Sequence, residues 1–224
     1  MNAFPRILPV GEGAFTVEFG NRVDPALTAR VHALDARLTS ESLPGLVETV
    51  PTYRALLVRY DPCVSTADEI KAALGGLLDV LKDVAPPEGR LIEIPVQYGG
   101  DAGPDLASVA QHAGLPPSEL IRLHTAPTYR VAMLGFAPGF AYLQGLDPQI
   151  AAPRLETPRT HIPPGSVGIA GEQTGVYALD TPGGWRIIGR TDLTLFDPAR
   201  EAPFMLQAGD RVRFIVADTE ADHD

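Results

Sequence analysis

The chain has 224 residues, of which 45% are hydrophobic, 18 are basic and 28 are acidic, and its formal net charge is −10. This length fits one or two domains with a real hydrophobic core. The acidic balance argues against sequence-independent binding to nucleic acid or to an anionic membrane surface. The single cysteine, Cys63, excludes an internal disulfide and any cysteine-rich zinc site.

The sequence contains no signal-peptide pattern at its start and no apolar run near the roughly 18 residues that would indicate a membrane span. We therefore expect a soluble cytoplasmic protein. The last residues, Asp218–Asp224, are predicted to form a solvated acidic tail.

Residues 1–86 are predicted to form a small α+β domain. Asp24-Pro25 is an N-cap followed by a proline at the first helical position, and Thr66 and Glu69 form a capping box before a second helix. The apolar residues at helical spacing are Leu27, Val31, Leu34 and Leu38 in the first helix and Ile70, Leu74, Leu77, Leu78 and Leu81 in the second. The β-like runs are Ile7–Val10, Phe15–Phe19, Leu46–Val50 and Ala55–Tyr60. The order strand, strand, helix, strand, strand, helix predicts a sheet with two helices covering one face.

A proline-rich stretch at Ala85–Gly89 is typical of a domain boundary, so residues 87–224 are predicted to form a second domain. It begins with a strand at Leu91–Val96 and two short helices, which Gly114 separates. Six β-like runs follow, at Tyr129–Leu134, Ser166–Ala170, Val176–Leu179, Trp185–Ile188, Leu193–Phe196 and Val212–Val216. Short strands at this spacing predict an all-β barrel or sandwich.

Glycine, proline and arginine are concentrated in this second domain. Glycine and proline make up 17 of the 55 residues from Gly135 to Gly189, but 7 of the 65 residues from Asn21 to Ala85. Between Ile121 and Thr191 there are six arginines and four acidic residues. Guanidinium groups suit planar carboxylate and phosphate groups, so a small anionic ligand is one interpretation. The alternative is that these arginines lie on strands that face solvent.

The motifs for phosphate binding and nucleophilic catalysis are weak. Gly184–Thr191 resembles a phosphate loop, but Arg190 stands where lysine is needed, and the flanking strands argue against that loop. Ser166 and Thr191 are candidate nucleophiles with His124 or His161 as a base, yet the Ser166 segment lacks the Gly-x-Ser-x-Gly pattern. His161 is either an acid/base or anion-binding group or an exposed loop histidine. No histidine or carboxylate spacing predicts a metal site.

The segment Phe136–Tyr142 mixes aromatic residues with Pro138 and Gly139. Two interpretations remain open. The aromatic side chains form the wall of a pocket, or the segment is a loop that closes a barrel with its aromatic side chains in the core.

A series of ordered motifs resembles the 5-oxoprolinase B-subunit family, also called PxpB, KipI or allophanate hydrolase subunit 1. The resemblance covers nearly the whole chain, and two departures from it, Gln97 and Ala141, leave the assignment intact. The motifs that carry it are Val10–Glu12, Tyr53–Val58, Ile94–Val96, Tyr98–Gly100, Gly103–Leu106, Leu123–Val131, Leu134–Phe140, Thr157–Thr160, Pro164–Gly171, Gln173–Gly175, Pro182–Trp185 and Ile188–Thr191.

The resemblance implies a cyclophilin-like β-barrel as the second domain and a chain that is inactive alone. It implies that two further proteins act with this chain: the C subunit, which is a second cyclophilin-like protein, and the A subunit. The expected activity of the complex is the ATP-dependent opening of 5-oxo-L-proline to L-glutamate, with ATP and magnesium used by the complex. The alternatives are a subunit of a urea or amide carboxylase, an inhibitor of a sensor histidine kinase, and a prolyl isomerase.

We expect a small anionic substrate beside the polar groups of the second domain. The residues predicted to be catalytic are His161 and Arg159. The residues predicted to bind the substrate are Arg130, Arg190, Gly139, Phe140, Tyr142, Gly165, Ser166, Gln173 and Trp185. In this hypothesis the arginines hold carboxylate or phosphoryl oxygens and the aromatic side chains form walls.

Overall fold

The computed structural model describes residues 4–41, 43–80 and 88–217. The chain falls into two compact units, residues 1–88 and 89–224. Leu81, the predicted boundary at Ala85–Pro87 and the predicted acidic tail lie outside the described residues.

The first unit contains a sheet and two helices in the predicted order. Its elements are β1 Arg6–Pro9, β2 Ala14–Glu18, α1 Pro25–Ser40, β3 Leu46–Pro51, β4 Ala55–Tyr60 and α2 Ala67–Val80. Within the described part of this unit the sheet has four antiparallel strands in the order β1-β2-β4-β3. Alternate residues of β2 and β4, such as Val17 and Leu56, are buried against Leu34 of α1 and Leu74 of α2. Both helices therefore contribute to one hydrophobic core on one face of the sheet.

Both predicted helix starts are confirmed. The side chain of Asp24 accepts a hydrogen bond from the backbone N–H of Ala26 at 2.8 Å. The backbone N–H of Thr66 donates to Glu69 Oε2 at 2.8 Å, and the backbone N–H of Glu69 donates back to Thr66 Oγ1 at 3.3 Å. These bonds satisfy donors that the first turn of a helix leaves unpaired.

The second unit is a barrel with two helices. Its elements are β5 Leu91–Tyr98, α3 Leu106–Ala113, α4 Pro117–Thr125, β6 Tyr129–Leu134, β7 Ala141–Gln144, a 3₁₀ turn Pro148–Ile150, β8 Arg159–Ile162, β9 Ser166–Ala170, β10 Gln173–Val176, β11 Thr181–Gly183, β12 Arg186–Arg190 and β13 Arg211–Val216. Within residues 88–217, seven strands close in the order β10-β7-β6-β13-β5-β12-β9, and β8 pairs with β11 outside this barrel. The predicted mixed α and β architecture is confirmed. Gly114 ends α3 in the left-handed conformation, with φ of 68°.

Three of the predicted strands need correction. The run Val176–Leu179 is wrong in position, because β10 ends at Val176, and the run Trp185–Ile188 begins one residue early and ends two residues early. The run Leu193–Phe196 is not a strand, although Leu195 is buried in the barrel core and Phe196 forms a single bridge with Phe204. The apolar residues of this run therefore indicate packing against the core, and they do not indicate a hydrogen-bonded strand.

The first and last strands of the barrel are neighbours. β13 pairs in parallel with β5 over six residues, from Arg211 opposite Leu91 to Val216 opposite Val96. β13 also pairs with β6 on its other side, so the last strand lies between the first two. The guanidinium of Arg90, just before β5, forms an ion pair with the nearly buried carboxylate of Asp210, just before β13.

A chain of hydrogen bonds crosses the barrel core through His124 at the end of α4. The hydroxyl of Thr174 donates to the carbonyl of Gly168 at 3.0 Å, so its oxygen accepts from His124 Nε2 at 3.0 Å. His124 Nδ1 then accepts from the hydroxyl of Tyr98 at 2.7 Å. The imidazole is fully buried and stacks on Phe214 with ring centres 4.6 Å apart. Burial lowers the pKa of His124 to about 3, so the imidazole is neutral at physiological pH.

Among the described residues, no helix is both long and apolar enough to span a lipid bilayer.

Candidate functional site

A cavity of about 200 Å³ in the second unit brings together four of the predicted site residues. We call it the cationic cavity. Its polar lining consists of Asp101, Arg159, His161, Ser166 and Arg190. These residues come from β8, β9, β12 and the loop after β5, so the barrel gathers side chains that are up to 89 positions apart in the sequence.

Strand pairing and one glycine fix the backbone beside the cationic cavity. Arg190 of β12 lies opposite Ser166 of β9. Gly165 precedes β9 with φ of +81°, and the backbone N–H of Thr191 donates to the Gly165 carbonyl at 2.9 Å. A Cβ atom at Gly165 would overlap the carbonyl oxygen of Thr191. The position therefore requires glycine both for its backbone conformation and for this close approach.

Arg159, one of the two residues predicted to be catalytic, is held by a buried carboxylate. Its Nη1 and Nη2 atoms donate to the two carboxylate oxygens of Asp105, each at 2.8 Å. Asp105 Oδ2 also accepts from the backbone N–H of Ile187 at 2.7 Å. The bonds to Asp105 raise the pKa of the Arg159 guanidinium. The ion pair between Arg159 and Asp105 has no net charge. Arg159 therefore forms part of the cavity wall and adds no net charge to the cavity.

Arg190 is the unpaired guanidinium of the cationic cavity, whose lining also contains the carboxylate of Asp101. Among the residues that the structure describes, its guanidinium has neither a hydrogen-bond acceptor nor a carboxylate partner. Its side chain also lines a neighbouring cavity of about 480 Å³, which contains Gln97 and Tyr98. Together the two cavities offer Arg190 to a ligand from two sides. A free guanidinium in a partly enclosed site is suited to a carboxylate or a phosphoryl group.

His161, the other residue predicted to be catalytic, lies at the open side of the cationic cavity. Its side chain is 81% exposed, and its Nδ1 atom is 3.5 Å from Asp180 Oδ1, which is also exposed. This position allows contact with a ligand from solvent, but the side chain is not held in one orientation by a short hydrogen bond.

The candidate nucleophiles have no histidine base within hydrogen-bond reach. The hydroxyl of Ser166 donates to the carbonyl of Pro163 at 2.7 Å, and the hydroxyl oxygen of Thr191 accepts from the backbone N–H of Leu193 at 3.3 Å. His124 lies in the barrel core. Both hydroxyl groups therefore form hydrogen bonds with the backbone beside the cavity. Among the described residues, the structure supports no serine–histidine pair.

A second cavity, of about 100 Å³, contains the predicted aromatic walls. We call it the aromatic pocket. It is lined by Phe136, Phe140, Tyr142, Arg154, Tyr177, Gly183, Gly184 and Trp185. The rings of Tyr142, Tyr177 and Trp185 each contact Phe140 edge to face, with ring centres within 5.3 Å of that of Phe140. Both interpretations of the aromatic segment are therefore partly right, since Phe140 is buried and still lines a pocket.

The predicted site residues thus divide between two cavities that share no lining residue. Tyr177 connects them, because its backbone bonds to Ser166 of the cationic cavity and to the adjacent Gly165, while its ring lines the aromatic pocket. Burial raises the pKa of the Tyr177 hydroxyl to about 12.

The other four predicted residues, Gly139, Arg130, Gln173 and Gly165, line neither cavity. Gly139 lies against Phe196 and Ala178, which a Cβ atom there would meet at 2.7 and 2.9 Å. Arg130 Nη1 donates to the carbonyl of Gly209 at 3.2 Å, and Gln173 is half-buried in β10. Their roles in substrate binding stay predictions.

Comparison with known proteins identifies the family. Residues 5–206 match the family described as "Carboxyltransferase domain, subdomain C and D". The chain is 42% identical over 220 residues to the 5-oxoprolinase B subunit of Bacillus subtilis (strain 168), a match that covers 94% of this chain and 92% of that protein. It is 45% identical over 206 residues to the 5-oxoprolinase B subunit of Escherichia coli O157:H7, covering 92% of this chain and 93% of that protein. The chain belongs to the 5-oxoprolinase B-subunit family.

The fold is also found in a solved structure. The crystal structure of TTHA0988 matches with a TM-score of 0.79 and 39% identity over 92% of this chain. The chain spans 40% of the length of that larger protein. The family resemblance stated from the motifs is therefore confirmed.

Three residues in or beside these two cavities were not among the predicted site residues. Asp105 was not singled out, although it forms the ion pair that orients Arg159. Arg154 was counted among the arginines but not assigned to a site, because it lies outside any strand or motif. Tyr177 was placed in a strand, and the only signal for its role was an aromatic residue at the end of an apolar run.

Proposed function

We propose that this chain is the B subunit of an ATP-dependent 5-oxoprolinase that, with the A and C subunits, opens 5-oxo-L-proline to L-glutamate. The observation that carries this proposal is the full-length similarity to proteins named as the B subunit of 5-oxoprolinase. The proposal includes a cyclophilin-like barrel as the second unit and a cytoplasmic location.

Opening a stable five-membered lactam is unfavourable without activation, so ATP is expected to phosphorylate the lactam before its ring opens. The chain is proposed to bind and orient an anionic reactant and to be inactive alone. ATP and its magnesium ion are proposed for the assembled complex, in which the C subunit pairs with this chain. We propose no resident cofactor in the chain itself.

The cationic cavity supports a binding role for this chain. Arg190 can hold a carboxylate or phosphoryl oxygen with charge-assisted hydrogen bonds, while the pair between Arg159 and Asp105 keeps the wall rigid. His161 at the open side of the cavity can contact the same anion.

The experiment is reconstitution with the purified A and C subunits and an assay of L-glutamate formed from 5-oxo-L-proline and ATP. We expect activity to require all three proteins. Normal activity without this chain would contradict the proposal. The variant Arg190→Gln should lower the rate at subsaturating 5-oxoproline or ATP at least tenfold, because one charge-assisted bond is worth about 1.5–3 kcal/mol.

Arg122→Gln is the matched control for this variant. The guanidinium of Arg122 is exposed on α4 and pairs with Glu119, away from both cavities. Its activity should equal that of the wild type, and equal activity of Arg190→Gln and Arg122→Gln would remove the cationic cavity from the proposal.

A further inference from the structure

The aromatic pocket has apolar walls and one charged residue. Phe140 and Trp185 are buried at 2% and 5% exposure, and their ring centres are 5.3 Å apart in an edge-to-face contact. Tyr142 also contacts Trp185 edge to face, with ring centres 5.8 Å apart. Gly183 and Gly184 complete the lining of the pocket. Such walls favour a ligand with a flat or compact apolar body.

The size of the aromatic pocket limits that body. An apolar cavity of about 150 Å³ accepts benzene. The aromatic pocket has a volume of about 100 Å³, so it holds an apolar body no larger than one small ring. Substituents on such a ring must extend to the mouth of the pocket.

The charge at the mouth comes from Arg154. Its side chain is exposed, and among residues 88–217 that the structure describes it has no carboxylate partner. Arg154 lies close enough to Tyr142 and Tyr177 to favour their ionised forms, but burial dominates and raises the pKa of both hydroxyls. Both phenols therefore stay neutral at physiological pH, and the guanidinium is the one charged group among the lining residues of the pocket.

Phe136 lies at the edge of the same pocket in an uncommon conformation. It is 60% exposed and has φ of +70°, a backbone region that side chains other than glycine rarely occupy. Its ring contacts the edges of Phe140 and Tyr177, with centres 5.5 and 6.4 Å apart. An exposed aromatic side chain held in this way extends the apolar wall to the mouth of the pocket.

We propose that the aromatic pocket binds a small five-membered ring that carries one carboxylate and no positive charge. The ring lies against the aromatic side chains that line the pocket, and the carboxylate accepts hydrogen bonds from Arg154. The inference rests on the proposed function, because 5-oxo-L-proline is a five-membered lactam with one carboxylate. The positive charge of Arg154 disfavours an ammonium group on the same carbon atom as the carboxylate. The pocket therefore selects the lactam over both L-proline and the L-glutamate product.

The test is direct binding to the purified chain. Trp185 is the only tryptophan, so its fluorescence reports on a ligand in the aromatic pocket. The probes are 5-oxo-L-proline, cyclopentanecarboxylate, 2-pyrrolidinone and L-proline. We expect saturable fluorescence changes with the first two and at least tenfold weaker binding of 2-pyrrolidinone, which lacks the carboxylate, and of L-proline, which carries a positive charge.

The variant Arg154→Gln should weaken the binding of both ring carboxylates about 10-fold to 100-fold, because it removes a charge-assisted hydrogen bond. The binding of 2-pyrrolidinone should not change. Arg122→Gln, an exposed arginine outside the pocket, is the matched control and should bind all four probes as the wild type does. Since Arg154 is exposed, its replacement leaves the folded unit intact, and far-ultraviolet circular dichroism checks this.

Three results would overturn the inference. They are no saturable change with either ring carboxylate, equal affinity for 2-pyrrolidinone and 5-oxo-L-proline, and unchanged affinity in Arg154→Gln. The omission assay separates this failure from that of the proposed function. If the probes do not bind but activity still requires the chain, only the pocket assignment is wrong. If the ring carboxylates bind but activity does not require the chain, the proposed function is wrong and the pocket assignment stands.

Discussion

Acid should destabilise the barrel unit through His124. This imidazole is fully buried in the hydrogen-bond chain between Tyr98 and Thr174, and burial lowers its pKa from the ordinary value of 6.5 to about 3. The unfolded chain binds a proton at this residue below pH 6.5, whereas the folded chain does not until about pH 3. The stability that comes from keeping His124 neutral is therefore fully present above pH 6.5, and it is lost as the pH decreases from 6.5 toward 3.

The expected loss follows from the two pKa values. The free energy of unfolding should be about 2 kcal/mol lower at pH 5 than at pH 7.5, because each pH unit below 6.5 lowers it by about 1.4 kcal/mol. Urea unfolding followed by Trp185 fluorescence measures this quantity in the correct unit, because the only tryptophan lies in the barrel. Measurements at pH 5, 6, 7 and 8 would define the slope.

The variant His124→Gln tests the reasoning. It should be less stable at pH 7.5, by about 1–3 kcal/mol, because buried partners lose hydrogen bonds. Its stability should then vary less between pH 7.5 and pH 5 than that of the wild type, by about 2 kcal/mol. His112→Gln, at an exposed position on α3, should keep the wild-type pH dependence. Identical pH dependence in the wild type and His124→Gln would refute the argument, as would an NMR titration of the His124 ring with a midpoint near 6.5.

Two further predictions concern the cationic cavity, both measured by urea unfolding of the barrel. Asp105→Asn should lower the free energy of unfolding by about 2 kcal/mol, because the partly exposed Arg159 loses a nearly buried partner. The control Glu119→Gln, in an exposed ion pair, should lower it by less than about 1 kcal/mol. Equal effects of the two variants would contradict the difference in burial between the two pairs. Gly165→Ala should lower the free energy of unfolding by more than about 2 kcal/mol, because its Cβ atom would overlap a carbonyl oxygen. The control Gly171→Ala, where φ is +59° and the space is open, should lower it by about 1 kcal/mol. A loss at Gly165 no larger than that at Gly171 would show that the turn can relax.

Local patterns predicted most of the secondary structure. The strands Tyr129–Leu134 and Ser166–Ala170 match their predicted bounds, and both capped helices start where the capping residues placed them. These features depend on neighbouring residues in the sequence, so a sequence pattern reports on them. The strand Arg159–Ile162 was missed because prolines flank it and its pairing partner lies about 20 residues away.

The candidate site was predicted less completely, because residue type does not show which strand lies beside which. Arg159, His161 and Arg190 were predicted together, and the structure brings them to one cavity. The sequence could not show that Asp105 neutralises Arg159, since that pair spans 54 residues. It also could not place Arg154 beside the aromatic side chains, because no periodicity describes the loop that holds it.

The parallel pairing of β5 with β13 has a consequence for synthesis of the chain. Residue 91 leaves the ribosome about 120 residues before its neighbour in the barrel, residue 211. At roughly 5–20 residues per second, the open edge of β5 waits several seconds or more for that neighbour. During this interval β5 and β6 each expose an unpaired edge, which is the kind of surface that aggregates or binds chaperones. Nascent chains stalled before residue 211 should therefore remain protease-sensitive in the barrel, even where the first unit has already folded.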